Sequence, residues 1–237
     1  MLYFVRIFIA LLFFFCVSVI GTFLLLLRPF HPDNTRLFGR IYAWGNKILG
    51  ISIFIEGQEH LHNMPSSVVI ANHQHNLDLF ICGSVIPERT VSIGKKSLLY
   101  LPGFGLIYWL AGNILIDRKN SRRSQSTLSR PLQALKSGKC SIWFFPEGTR
   151  DKGKELLPFK KGAFRMAIKA GVPIQPICVS RYAGKLKFNN WSSGTIQIRI
   201  LNPVSTTDKT PGDENQLLQE CWQKMNQTIK NMETIHE

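Results

Sequence analysis

His73 and Asp78 stand five positions apart in the segment Asn72-His73-Gln74-His75-Asn76-Leu77-Asp78, directly after the apolar run Ser67-Val68-Val69-Ile70-Ala71. In one continuous helix, residues i and i+5 point about 140° apart. Imidazole and carboxylate can therefore meet only if the chain passes from a strand through a loop into a helix between them. A carboxylate held against one imidazole nitrogen fixes the tautomer and leaves the other nitrogen able to take a proton. No Ser or Cys stands beside the pair. The simplest chemistry is a general base acting directly on a substrate hydroxyl. An accidental His and Asp is the competing reading, and the pair alone does not decide between the two.

His75 adds a second imidazole. With His73 and Asp78 it could begin the site of a metal-dependent membrane hydrolase, but a closed site needs more ligands and no Cys or Glu is suitably spaced. We expect no metal, and His75 reads as a loop residue. Further along stand Gly94-Lys95-Lys96-Ser97-Leu98 with Pro102-Gly103, then Gly112-Asn113-Ile114-Leu115-Ile116-Asp117-Arg118, then Phe145-Pro146-Glu147-Gly148-Thr149-Arg150, then Val172-Pro173-Ile174-Gln175-Pro176. These blocks, in this order, resemble the signature motifs of the glycerolipid acyltransferase family, and most of all its bacterial members that acylate lysophosphatidate. The resemblance covers nearly the whole chain. It implies an O-acyltransferase that moves a fatty acyl group from an acyl-CoA or acyl carrier protein thioester to the sn-2 hydroxyl of lysophosphatidate, with no metal or redox cofactor. An acyltransferase for glycerol-3-phosphate or another lysophospholipid shares the same motif logic and is the alternative within the class.

The resemblance also assigns acceptor binding to the Phe-Pro-Glu-Gly-Thr-Arg block and to basic residues of the motifs before it. Arg binds two phosphate oxygens through its fork, whereas Lys acts as a mobile point charge. Arg150 is the first choice, with Gly148 and Thr149 beside it, because Gly lets backbone amides approach an anion. Lys96, Lys95 and Arg118 follow, each equally readable as a solvated surface charge. Glu147 could bond the glycerol hydroxyl or pair with a neighbouring Arg. Phe159-Lys160-Lys161-Gly162-Ala163 reads as a helix start that supports the site. The basic run Arg118, Lys119, Arg122, Arg123 and Arg130 is a solvated helix face or a docking patch for anionic lipid or carrier protein. The apolar stretch from Gly103 to Leu110 is a core helix or the lining of an acyl-chain channel.

These side chains need a scaffold that gathers them. Apolar runs at Ile51-Ile55, Val68-Ala71, Thr90-Ile93, Ile114-Ile116, Ser141-Phe145, Ile174-Val179 and Ile196-Leu201 read as strands. Helices are expected near 77–86, 103–111, 121–137 and 160–171, with a last one near 213–232. The alternation predicts an α/β domain with a mainly parallel or mixed sheet flanked by helices. Ligands gather at the carboxyl ends of strands in such sheets. His73, Arg118, Glu147 and Arg150 each directly follow an apolar run and can share one rim.

From Ile7 to Leu27 no residue is charged, and Arg6 and Arg28 bound the run. That length matches the hydrocarbon core of a bilayer, and no Ala-x-Ala cleavage site follows. Residues 7–27 are expected to be a retained membrane segment. The positive charges that follow it place the rest of the chain in the cytoplasm. Residues 34–49 wind into an amphipathic helix with Arg36, Arg40 and Lys47 on a basic face toward lipid phosphates, and an apolar face toward acyl chains or the domain. Residues 1–49 thus form a membrane-embedding helical element and residues 50–237 the catalytic domain, expected on the cytoplasmic side of a bacterial inner membrane. The net charge of +14 calls for an acidic partner; phospholipid membrane, a phosphorylated substrate and an acidic carrier protein all qualify. A basic binding module without catalysis is a rival reading. Nucleic acid is disfavoured, because the basic residues sit in separate motifs rather than in one stripe with stacking aromatics. The five cysteines are scattered without a C-x-x-C pair and read as small apolar residues in a reducing compartment.

Overall fold

A computed structural model describes residues 1–117 and 127–234. Its centre is a seven-stranded sheet in the order β1-β7-β6-β2-β5-β3-β4. The strands are β1 Ile51–Glu56, β2 Val68–Ala71, β3 Thr90–Lys95, β4 Ile114–Ile116, β5 Ser141–Phe144, β6 Ile174–Val179 and β7 Gly194–Ile200. Strands β2 to β6 run parallel, β1 runs parallel to β7, and the β6–β7 pair is antiparallel. The sheet is therefore mixed. Its seven strands fall on the seven apolar runs. β2 is buried over its full length, as a central strand covered on both faces must be, which is why it reads as a continuous apolar run rather than an alternating one.

Helices cover both faces. One core joins Val69, Ala71, Ile177 and Ile198 of the sheet to Phe38, Tyr42, Phe80 and Phe104. These aromatics lie on α2 (Asn34–Ile48), α3 (Asp78–Gly83) and α4 (Phe104–Leu110). The second core joins Val68, Ile70, Ile142 and Cys178 to Leu135, Phe164, Leu217 and Met225. Those side chains lie on α5 (Ser129–Lys136), α6 (Gly162–Ala170) and α7 (Glu214–Thr234). The first half of the helix expected over 121–137, with Arg118, Lys119, Arg122 and Arg123, lies outside the described residues; Arg130 is exposed on α5.

The amino-terminal helix α1 runs from Leu2 to Leu26, with a mean hydropathy of 2.8 over its most apolar stretch, long and apolar enough to cross a membrane. It is docked onto the domain at both ends. At its start the Tyr3 N–H donates to Asn189 Oδ1 at 3.0 Å and the Arg6 guanidinium is buried. Towards its end Gly21 leaves room for Ile107 and Phe38, whose atoms would lie 2.4 Å from an added Cβ. Ser18 and the Tyr42 hydroxyl bond at 2.7 Å between α1 and α2.

The amphipathic helix divides differently from its expected faces. Phe38 and Tyr42 enter the core, and Gly39 packs against Gly83 of α3 closely enough that a Cβ on Gly83 would lie 2.3 Å from the Gly39 carbonyl oxygen. Arg36 leaves the expected basic face and pairs with Glu88 at 2.6 Å. Leu37, Arg40, Trp44 and Lys47 form the exposed stripe, with the Lys47 ammonium 4.5 Å from the centre of the Trp44 ring. Aromatic and cation thus share one outward face. A helical wheel could not show this, because it does not record which sector α3 covers.

Candidate active site

The chain leaves β2 at Ala71, turns through residues 72–77 and enters α3 at Asp78, the strand–loop–helix passage that the His–Asp spacing requires. Asn72 fixes the start of the turn. Its side chain accepts from the Val179 N–H at 2.8 Å and donates to the Val179 carbonyl at 2.9 Å, extending the β2–β6 pairing one step past the strand. Gln74 is buried and does the same for the next loop, donating to the Ser180 carbonyl at 2.8 Å and accepting from the Tyr182 N–H at 3.0 Å.

His73 Nδ1 donates to Asp78 Oδ2 at 2.6 Å. The His73 side chain is 18% exposed and that of Asp78 only 3%, and the ring lies over Phe145 at 4.1 Å. Asp78 Oδ2 also accepts from the backbone N–H groups of Gln74 at 2.8 Å and His75 at 3.0 Å. Its other oxygen accepts from the Tyr182 hydroxyl at 2.6 Å. Four donors on one buried carboxylate satisfy its oxygens and hold it in place. Nε2 of His73 is then the ring nitrogen left to receive a proton. Cys82, the nearest thiol in sequence, is buried, and desolvation, with the Asp78 charge adding to it, pushes its thiol well above the usual range; it is inert as a nucleophile. His75 is exposed and turns its ring toward its own loop. A metal drawn to Asp78 would have to displace donors already in place.

Glu147 turns into the fold. It is 2% exposed. Its Oε1 accepts from the His73 N–H at 2.7 Å and its Oε2 from the Leu157 N–H at 3.1 Å. Among the described residues it pairs with no Arg, and it braces the backbone of His73. Burial pushes its carboxyl up to about 7, against the lowering effect of the two N–H donors. On the other side of His73, the Asp151 N–H donates to the His73 carbonyl at 2.9 Å. The Phe-Pro-Glu-Gly-Thr-Arg loop thus clamps His73 from both sides.

The rim assembles as expected in its described part. His73 follows β2, Glu147 to Arg150 follow β5, and Lys95 and Lys96 close β3, and these three strands are neighbours in the order β2-β5-β3. Arg118 lies outside the described residues. Thr149, Arg150, Lys95 and Lys96 are exposed. Gly148 takes φ +70°, a left-handed conformation that favours glycine, and the side chain of Lys160 crosses it, its Nζ 2.7 Å from where a Cβ would stand. The Lys160 N–H bonds the Pro146 carbonyl at 2.8 Å. Lys160 therefore does more than start a helix: its ammonium sits against the loop that carries Arg150.

The sequence alone did not point to Tyr182, and it gave Lys160 only a supporting place in a helix start. Tyr182 lies 104 residues from Asp78 outside the motifs, and only the Gln74 bridge brings it in. If its hydroxyl tunes the dyad, Tyr182→Phe leaves Asp78 Oδ1 buried without its donor, a loss of about 1–3 kcal/mol. We expect kcat to fall on the order of tenfold with the acceptor KM unchanged. A fall in kcat matched by a rise in the acceptor KM would make Tyr182 a packing residue only.

The family model described as "Acyltransferase" matches residues 52–180. The chain is 36% identical over 233 residues to the 1-acyl-sn-glycerol-3-phosphate acyltransferase of Salmonella typhimurium, covering 98% of this chain and 95% of that protein. It is 39% identical over 189 residues to the 1-acyl-sn-glycerol-3-phosphate acyltransferase alpha of Mus musculus, covering 78% of this chain and 66% of that protein. Among solved structures, it is similar to the 1-acyl-sn-glycerophosphate acyltransferase of Thermotoga maritima, with a TM-score of 0.72 and 21% identity, over 98% of this chain and 95% of that one.

Proposed function

Because the chain belongs to the acyltransferase family, we propose that it transfers a fatty acyl group from a thioester to the sn-2 hydroxyl of lysophosphatidate, giving phosphatidate. The observation that carries this reading is the His73–Asp78 pair, its carboxylate saturated by four donors and its Nε2 left as the one ring nitrogen able to act. Nε2 takes the proton of the acceptor hydroxyl as its oxygen attacks the thioester carbonyl. Asp78 stabilises the imidazolium that forms. Collapse of the tetrahedral adduct breaks the C–S bond, and the leaving thiolate takes the proton back from His73. Acyl-CoA and acyl carrier protein are the donors this chemistry suits, and no step calls for a metal or redox group.

The acceptor's phosphate meets the side chains of Arg150 and Lys160, whose charged groups have no hydrogen-bond or ion-pair partner among the described residues, with the Gly148–Thr149 backbone between them. Lys95 and Lys96 lie one strand further, about 4.8 Å, and Arg118 completes the set of candidate cations.

The membrane element, residues 1–49, holds the catalytic part, residues 50–237, against a bacterial inner membrane on its cytoplasmic side. With both ends of α1 held by the domain, the helix lies along the bilayer, and its outward residues, Phe4 at 74% and Phe8 at 68% exposed among them, enter the acyl-chain layer. The length of the apolar run leaves open whether the segment crosses, and its docking at both ends favours the in-plane arrangement.

The test is acyl transfer by the purified full chain, in detergent or vesicles, to lysophosphatidate, glycerol-3-phosphate, lysophosphatidylcholine and monoacylglycerol from CoA and carrier-protein thioesters. Lysophosphatidate should be the best acceptor with acylation at sn-2. A preference for glycerol-3-phosphate would overturn the assignment while leaving the mechanism standing.

A further inference from the structure

Arg6 is the charge that interrupts the apolar start of α1, and the loop between β6 and β7 encloses it. The guanidinium donates to the carbonyls of Phe188 at 3.1 Å, Trp191 at 2.5 Å and Asn190, and to the Ser193 hydroxyl at 3.0 Å. The same loop binds the first turn of the helix twice more, through Asn189 to the Tyr3 N–H and through the Phe188 ring, 6.0 Å from that of Tyr3. The loop is in turn fixed to the domain by the Ser193 N–H, 2.7 Å from the Gly50 carbonyl. An arginine on a helix that enters lipid is costly unless its donors are satisfied. Here the loop backbone satisfies them. The loop must then travel with the helix to the membrane surface.

Its outermost residue is suited to that place. Trp191 is 86% exposed, a large apolar surface in water, and Lys187 nearby is exposed as well, as is Lys185, which pairs with Glu233 at 3.2 Å. Tryptophan beside lysines is the composition of the headgroup level of a bilayer, where the ring is apolar, its N–H finds a partner and the ammonium groups meet lipid phosphates. We propose that the β6–β7 loop is a second membrane-contacting element, with Trp191 seated at the headgroup level of an anionic phospholipid surface and locked to α1 by Arg6. The proposal rests on the membrane association read from α1. Its consequence is geometric. Attachment at the start of α1 and at Trp191 sets the rotation of the domain about the helix axis, and with it the height of the rim above the lipid, which a single helix would leave undetermined.

Tryptophan fluorescence reads this directly. The full chain and its Trp191→Phe variant are bound to vesicles of zwitterionic and anionic phospholipid that carry nitroxides on the headgroup, high on the acyl chain or near its end. The difference between the two proteins isolates Trp191 from the other tryptophans, and flotation with the vesicles establishes membrane association independently. The Trp191 signal should be blue-shifted relative to tryptophan in water. Headgroup and shallow nitroxides should remove most of it, with little effect from deep nitroxides or aqueous iodide. In Arg6→Gln the chain should still float, with shallow quenching of Trp191 sharply reduced. Failure of the parent to float would remove the membrane reading itself. A floating protein whose Trp191 signal responds to iodide and ignores the nitroxides would overturn the proposal, and quenching unchanged in Arg6→Gln would overturn the locking role of Arg6.

Discussion

Replacing His73 with alanine lowers turnover by roughly 10²- to 10⁴-fold, the range for losing a positioned base, in a protein that remains folded. The ring is partly exposed and stacks on Phe145 from one side, so its loss opens no closed cavity. The backbone clamp formed by Glu147 and Asp151 uses the main chain of residue 73 and survives the substitution. Asp78→Asn should cost a comparable factor for a different reason. An amide has one accepting oxygen, whereas Asp78 faces donors on both oxygens, so the amino group that the substitution introduces must oppose at least one of them. Steady-state rates beside thermal melts separate these effects from unfolding. A folded His73→Ala protein with near-parental turnover would refute the general-base role.

Arg150→Ala should lower kcat/KM for lysophosphatidate at least tenfold. A hydrogen bond to a charged group is worth roughly 1.5–3 kcal/mol, and the substitution leaves a phosphate dianion short of one fork. The penalty should be selective. Monoacylglycerol, which lacks the phosphate, should be a poor acceptor for the parent and little further affected by the change. Lys160→Ala should show the same selectivity with a smaller loss, because an ammonium is a single mobile charge whereas guanidinium binds two oxygens at once. Structural damage would lower both acceptors together. Equal losses for the two acceptors would move phosphate recognition to Lys95, Lys96 or Arg118.

The central strands were legible because buried parallel strands are continuous apolar runs, as in β2 and β6, and β7 because Ile196, Ile198 and Ile200 alternate with polar residues. The dyad was legible for a related reason: a five-residue spacing has one simple geometric solution at a strand end. The roles of Glu147, Tyr182 and Arg6 were not. Each is a polar side chain whose meaning depends on which distant backbone it meets. Nothing in the sequence shows that the two oxygens of Glu147 lie on the N–H groups of residues 73 and 157. Arg6 could look like a flanking charge of a membrane segment until the β6–β7 loop closed over it. The faces of α2 were legible only in part. Periodicity gives the angle between side chains, but only the packing of α3 on Gly39 decides which sector is inside.

If His73 activates the acceptor hydroxyl directly, no acyl-enzyme forms between donor and product. Rapid quench of the enzyme with a radiolabelled acyl thioester tests it most directly, with thiol release followed in the presence and absence of lysophosphatidate. Direct transfer predicts thiol release only when acceptor is present, in step with phosphatidate, and no label on denatured protein. A burst of thiol without acceptor, matched by label bound covalently to the chain, would contradict it.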